Sequence, residues 1–442
     1  MLNILRDILI YTFIHSFILG KNRPQNCSIN IGFIPGMKNW YVLLLCLLPC
    51  CLLSQNPSGM IIPKKSHALD TASQKDLLGV LSDFTHIHIK KPSRVKGQKV
   101  YYSLLPIGTT VPGGGTALVT TTQAGFYVGD RATTYLSSIT FSPSTNFKGA
   151  FNFPFSSNIW SPGNKWNFEG DLRYSYFPQY TWGLGGKQDE TNKLLINYSY
   201  VRLYFSALKR IRPYMFAGIG YNLDYHISIR GENDTADLQQ FTGYKFGTAN
   251  HSNSLSSGLA FNFLYDARVN SINPLPGFYY NIIYRVNPKF LGSDDLWHSL
   301  YVDVRKYIPF SREEQDVLAI WSYLWTTFGS HSPYLDLPAT GWDANQRSGR
   351  GFYNRRYTGK TLWYLETEYR RQLTANGLFG FVVFANLNTV TEPDKTTFAY
   401  LHPAAGGGLR IKFNKNSGTN IGIDYGFSKG YRALYISLGE VF

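Results

Sequence analysis

Apolar and polar residues alternate one by one through much of this chain. Trp166, Phe168, Leu172, Tyr174 and Tyr176 fall on one strand face, with Asn167, Glu169, Asp171, Arg173 and Ser175 on the other. Val201, Leu203, Phe205 and Ala207 oppose Tyr200, Arg202, Tyr204 and Ser206. Met215, Ala217, Ile219, Tyr221, Leu223 and Tyr225 oppose Gly218, Gly220, Asn222, Asp224 and His226. Leu300, Val302 and Val304 oppose Ser299, Tyr301, Asp303 and Arg305. Successive strand side chains point to opposite faces, so each stretch predicts a strand with one apolar and one charged face. A soluble all-β protein also alternates. The regular recurrence of apolar bulk opposite charge instead fits lipid outside and a polar lumen inside, a transmembrane antiparallel β-barrel.

Composition sharpens this picture. Aromatic residues make up 16% of the chain, including 32 Tyr, yet the mean hydropathy is only −0.19. Helical membrane proteins are far more apolar, whereas a barrel strand gives half its positions to the lumen. Excess Tyr and Trp suit the girdles where lipid meets water. The one long apolar run, Trp40 to Leu53, has 14 residues and is short for a membrane span. Met37-Lys38-Asn39 precedes it and Ser54-Gln55-Asn56 follows, the layout of a signal peptide over 37–54 cut after Ser54. Met37 is then the expected start, and 1–36 an upstream segment outside the mature protein. A lipoprotein reading at Cys50 or Cys51 is weaker, because Pro49 and Cys50 poorly suit the positions before a lipidated Cys.

All four cysteines (Cys27, Cys46, Cys50, Cys51) precede that cut, which leaves no disulfide, thiolate metal site or Cys nucleophile to expect. Residues 1–54 hold four of the 43 Lys/Arg and one of the 28 acids, so an excess of twelve positive charges survives cleavage. That charge suits anionic lipid or lipopolysaccharide, or a charged lumen. No recognition motif points to nucleic acid. Residues 55–98 are polar and basic, with one short helix expected between Asp70 and Phe84, and read as a periplasmic or plug-like segment. Lys99 to Phe442 is strand-like throughout; at roughly 9–11 residues per spanning strand plus turns, it accommodates about 16 strands. The longest loops, Arg230–Asn253 and Ser330–Lys360, are expected outside the cell. The last strand puts Leu434, Ile436, Leu438 and the terminal Phe442 on one face, an ending like the sorting signal of outer-membrane barrels.

The run Gly341-Trp342-Asp343-Ala344-Asn345-Gln346-Arg347-Ser348-Gly349-Arg350-Gly351-Phe352 stands apart, followed by Leu365-Glu366-Thr367-Glu368-Tyr369-Arg370. Tyr265-Asp266-Ala267-Arg268-Val269-Asn270 with Pro276-Gly277, Asp303-Val304-Arg305-Lys306-Tyr307, and Gly406-Gly407-Gly408-Leu409-Arg410 with Ile421-Gly422-Ile423-Asp424-Tyr425-Gly426 complete the set. In order and spacing these pieces resemble the barrel domain of the BamA/TamA superfamily, the bacterial surface antigens, over Lys99 to Phe442. The resemblance implies that Arg350, Gly351 and Phe352 form the tip of an inward-folding sixth extracellular loop. It implies that Arg350 meets carboxylates on the barrel wall. Glu368 matches one family acid. The second falls near Asn386, a departure for which Glu366 or Asp424 is the expected substitute. Asp266, Arg268 and Asn270 match a strand signature. Arginine forks make bidentate, charge-assisted bonds with carboxylates.

By the same resemblance, the chain assists insertion or translocation of proteins at the outer membrane of a Gram-negative, Bacteroidetes-like bacterium, through a weak seam between first and last strands near Gly406–Gly408. Unfolded outer-membrane proteins would be clients. The 44 residues of 55–98 are too few for the periplasmic POTRA domains of BamA and TamA, so a separate periplasmic partner is expected in that role. The competing classes are a passive pore, a lipid-handling barrel or a structural surface antigen. No enzyme is expected: His226, His251, His298, His331 and His402 are scattered and no nucleophile motif accompanies them. No spacing suggests a metal or other cofactor. Gly113–Gly115 and Gly406–Gly408 lack the Lys-Ser/Thr of a phosphate loop and read as close backbone approaches.

Overall fold

A computed structural model describes residues 74–85 and 100–442, apart from 111–115, 147–148, 177, 233–236, 269, 275–276, 311–315, 394 and 396. The upstream segment, the signal peptide, most of 55–98 and Gly113–Gly115 lie outside the described residues. A helix, α1 (Leu77–Thr85), comes first. The first strands are β1 (Val100–Thr110), β2 (Thr116–Phe126), β3 (Ser137–Phe141), β4 (Ser144–Thr145), β5 (Phe151–Trp160) and β6 (Trp166–Tyr176). Next come β7 (Gln179–Thr181), β8 (Leu194–Arg212), β9 (Met215–Gly231), the short helix α2 (Leu238–Thr242), β10 (Ser252–Asp266), β11 (Gly277–Asn287) and β12 (Trp297–Pro309). The chain closes with β13 (Asp316–Phe328), β14 (Thr361–Gln372), β15 (Phe379–Val390), β16 (His402–Asn414), β17 (Thr419–Ser428) and β18 (Tyr431–Leu438).

These eighteen segments form one antiparallel sheet. Both β3 and β4 lie between β2 and β5, and both β6 and β7 pair with β8. Each couple therefore continues one stave, and the wall has sixteen. The architecture is an all-β barrel with sixteen staves, as the alternation predicts. Among the described residues no helix is long and apolar enough to cross a membrane.

The wall is inside out relative to a soluble protein. Phe168, Phe205, Ile219, Phe261, Val383 and Leu409 are exposed, while Asn167, Arg173, Arg202, Asp224, Arg285 and Asp303 are buried. That is the order required when hydrocarbon surrounds a polar lumen. Short turns gather at one end: residues 213–214 between β8 and β9, 373–378 between β14 and β15, 415–418 between β16 and β17. The long connections gather at the other. They include 232–251 and, sixth in order, 329–360 between β13 and β14, called loop 6 below.

Two features close the barrel in ways that alternation does not announce. The turn joining β10 and β11 crosses the turn end: Asn270 Nδ2 donates to Ser417 O (3.0 Å) and Asn273 Nδ2 to Gly418 O (3.2 Å), on the β16–β17 turn. The second feature is the joint between β1 and β18. Among the described residues no hydrogen-bonded register links these strands, although every other neighbouring pair of staves has one. Tyr102 and Leu104 face outward from β1, so Ser103 and Leu105 face inward. Leu105 packs against Phe413, Ile421 and Leu438, which point outward from the last three staves. The inner face of β1 thus laps the outer face of β16–β18. The joint is held by apolar overlap rather than by a ladder.

The end of the chain departs from the sequence expectation. Leu434, Ile436 and Leu438 do share the outward face of β18. Phe442 does not. Gly439 takes a left-handed backbone (φ +80°), and residues 440–442 turn into the lumen. Phe442 stacks on Trp321 (5.2 Å between ring centroids) and its carbonyl accepts from Arg370 Nη2 (3.0 Å). The β18 ladder stops at Leu438, so nothing keeps the terminal residue in strand register. Buried aromatic and Arg partners hold it instead.

Candidate functional site: the lumenal tether of loop 6

Loop 6 folds inward as a pre-shaped unit. Asp343 Oδ1 accepts from Ser348 N (2.8 Å) and Arg347 N (3.1 Å), which closes the turn before the tip. Arg355 donates to Leu335 O (3.0 Å) and Tyr334 O (3.1 Å), tying the two arms of the loop together. Tyr334, Leu335, Leu337 and Trp342 bury against Ile196, Tyr198 and Tyr200 of β8. Arg173 on β6 donates to Ala344 O (2.6 Å). The loop therefore rests on β6–β9 while its tip reaches across to β14–β18.

At the tip, Arg350 is 3% exposed and meets three carboxylates that are themselves almost fully buried. Its Nη2 donates to Glu366 Oε1 and Glu368 Oε2 on β14. Its Nη1 donates to Asp424 Oδ2 on β17 (2.7 Å). The guanidinium lies 3.6 Å from the Phe384 ring centroid, a stacked cation–π contact. Sequence spacing puts Glu366 and Glu368 on one face of β14, two residues apart, so both reach the same fork. The surrounding charges extend the pattern. Arg370 Nε donates to Glu368 Oε1 (2.6 Å), and Arg410 bonds both Asp424 and Glu440. Three arginines thus face four acids, and Tyr364 OH supplies a further donor to Glu366. Charges this deep persist only when paired and hydrogen-bonded.

The departure at Asn386 now has an explanation. Its Nδ2 donates to Arg350 O (2.8 Å), so an amide grips the backbone of the tip while Asp424 supplies the third carboxylate. Gly351 takes φ +94°, and a Cβ there would lie 2.9 Å from Ala404 Cβ and 3.1 Å from the Phe427 backbone. Its N–H donates to Tyr435 OH (2.8 Å) on β18, and Ser428 Oγ donates to its carbonyl (2.6 Å). Phe352 buries beside Tyr357 and Trp321 in the aromatic cluster that also holds Phe442. Gly408 leaves room for the site: a Cβ there would sit 1.9 Å from Asp424 Oδ1. The tip therefore touches all of β14–β18, the five staves that run up to the joint.

Asp266 and Arg268 form a fork pair at the turn end (2.8 Å), and Tyr135 OH donates to Asp266 O (3.1 Å). With Asn270 they brace the crossing turn, well away from Arg350. Sequence reading missed a second buried network nearer the loop end. Arg202 and Arg285 both bond Asp224, and Tyr200 and Tyr204 donate to the same carboxylate. Arg202 and Asp224 were visible as lumen-face charges; their partnership across strands was not. Asp336 of loop 6 docks here, accepting from Ser256 Oγ (2.6 Å) with His226 Nδ1 3.8 Å away. Among the described residues no group of three or more His, Cys, Asp or Glu is placed to hold a metal.

Burial, reinforced by the nearby Asp224 carboxylate, pushes the Asp336 carboxyl up to about 7. A carboxyl raised on folding holds its proton longer folded than unfolded, so its contribution to stability is lost as pH rises. The window runs from the ordinary carboxylate range near 4 to about 7. Protease resistance of loop 6 is expected to fall across that window and to level off above it. Asp336→Asn should flatten the profile; an unchanged slope in that variant would remove Asp336 as its source.

No protein-family model matches the chain, and no curated protein matches it in sequence. Solved structures do match in fold. CdiB from Acinetobacter baumannii aligns with a TM-score of 0.51 at 12% identity, covering 78% of this chain and 60% of that one. In fold the chain is similar to that outer-membrane barrel. BamA from Haemophilus ducreyi lacking POTRA domains 1–3 covers 77% of this chain and 69% of its own, at 14% identity and a TM-score of 0.47. CdiB from Escherichia coli gives 14% identity, 78% and 67% coverage and a TM-score of 0.47. At such identities the likeness speaks for the fold alone.

Proposed function

We propose that this protein sits in the outer membrane of a Gram-negative bacterium and assists the insertion of other proteins into that membrane or their passage across it. The observation that carries this reading is the joint. A strand edge without a ladder partner presents N–H and C=O groups that template an incoming strand, and a transmembrane barrel normally abolishes such edges. Here β1 and β18 lap without a register, and the overlap rests on a few apolar contacts and one long side-chain bond, from Asn414 Nδ2 to Tyr102 O (3.4 Å). Loop 6 braces the staves beside the joint, so Arg350 holds the working conformation rather than carrying out any bond chemistry. Unfolded outer-membrane proteins are the natural clients, with surrounding lipid and lipopolysaccharide as the solvent. A separate periplasmic partner would deliver them.

A passive pore is the weaker reading. The lumen holds a cavity of about 1280 Å³, but loop 6 lies across it on one side and the β10–β11 turn on the other. The test uses a photo-crosslinking residue at Tyr102, exposed on β1, and at Phe168, exposed on β6. An unfolded barrel client added during membrane assembly is expected to crosslink at Tyr102 and not at Phe168. Equal labelling at both positions, or none at Tyr102, would contradict the proposed edge.

A further inference from the structure

Helix α1 lies outside the barrel at its turn end, against the joint. Its start is pinned by polar contacts to two neighbouring turns. Lys75 N donates to Asn376 O (2.9 Å) on the β14–β15 turn. Asp76 Oδ2 accepts from Lys415 N (2.9 Å) on the β16–β17 turn, and Lys415 Nζ donates to Gln74 O (2.9 Å). Asp76 also caps the helix, accepting from Gly79 N through Oδ1 (2.9 Å). These contacts fix where the helix begins and which way it runs.

From that anchor, Leu77 and Leu78 drop onto Phe413, Ile421 and Leu438, the same apolar cluster that receives Leu105 of β1. Helix, first strand and last three staves therefore share one small core at the joint. The apolar side of α1 runs on past that cluster: Val80, Leu81 and Phe84, three, four and seven residues after Leu77 on the same helix side, are 36%, 47% and 86% exposed. A nine-residue helix whose apolar side is only partly covered by the barrel is poorly suited to water. It suits a seat between the barrel wall and the adjoining lipid leaflet, where Phe84 enters the acyl boundary.

We propose that α1 is an autoinhibitory clip, which keeps the β1–β18 joint shut by completing the apolar core that the two sides of the joint share. Its release uncovers the outward face of β16–β18 at the turn end and lets β1 move off β18. The clip deepens the insertion reading and rests on it for its purpose, although the mechanical claim stands on the contacts alone. Undocking needs no change in the barrel, because every polar pin involves turn backbone or side chains of residues 74–76 and 415. Loop 6 and the clip act on opposite ends of the same staves: Arg350 braces them from within and α1 from without.

Two measurements on the full protein in liposomes separate the clip from the function it serves. A cysteine pair at Leu105 and Leu438 reports joint integrity through its rate of oxidative or bismaleimide cross-linking. Val80→Pro removes the Val80 N to Asp76 O bond and breaks α1 without touching a barrel residue. Asp76→Ala is the gentler second variant. Both are expected to slow cross-linking at the joint severalfold while heat-modifiable gel mobility stays that of a folded barrel. Both are also expected to speed client insertion. Unchanged cross-linking in both variants would overturn the clip. Slower cross-linking with no insertion activity in any form would keep the clip and remove the insertase reading instead.

Discussion

Replacing Arg350 with alanine is expected to free the tip of loop 6 from the lumen and to destabilise the barrel by about 3–5 kcal/mol, the cost of leaving buried charges without their partner. Glu366, Glu368 and Asp424 would stay behind, each 2% exposed or less, with Arg370 and Arg410 as the remaining cations. The variant should unfold at lower temperature in a heat-modifiability gel and be cut by protease within 341–357. Arg350→Lys should recover only part of the loss. One ammonium cannot fork to carboxylates on two strands, nor stack flat on Phe384. Wild-type mobility and protease resistance in Arg350→Ala would mean that the tip is held mainly by Phe352 and its aromatic neighbours.

Locking the joint should have the larger effect on activity. With all four native cysteines before residue 52, a Leu105→Cys, Leu438→Cys pair offers a clean cross-link. Its two members belong to the one apolar core where β1 overlaps the last staves. If the joint must part to admit a strand, the cross-linked form should be inactive and reduction should restore it. Full activity while cross-linked would exclude lateral opening, and the reading would move to a role with the wall closed. Loop 6 reaches β17 and β18 through Asp424, Ser428 and Tyr435, and Arg347 donates to Leu438 O (3.3 Å) through the backbone, so unchanged protease resistance of loop 6 is the control for this lock.

The strands were legible because lipid outside and charge inside impose a period of two on every stave, and Arg202, Asp224 and Asp303 sit on the faces where that period put them. The tether was legible in its parts. Arg350 came from the motif, Glu368 from its match to a family acid, and Glu366 and Asp424 as substitutes for the acid missing at Asn386. Asn386 seemed a defect in sequence, because an amide donor to a backbone carbonyl leaves no charge pattern to recognise. The closure of the barrel was illegible. Register at the joint depends on how β1 meets β18 across more than 300 residues of chain, and alternation within either strand is the same for a lap as for a ladder. Phe442 misled for a related reason. Alternation continues it on the face of Leu438, but Gly439 breaks the strand, and Arg370, Glu440 and Trp321 draw the end inward.

The measurement that bears most directly on the central claim is the folding rate of a labelled, unfolded outer-membrane barrel into liposomes carrying this protein, against liposomes carrying an inert barrel of similar size. Any barrel perturbs lipid, so only the difference counts. Folding several times faster than with the inert barrel is the expected result. Equal rates would contradict insertion as the work of this barrel, leaving the tethered loop and the lapped joint as features of a wall that serves another purpose.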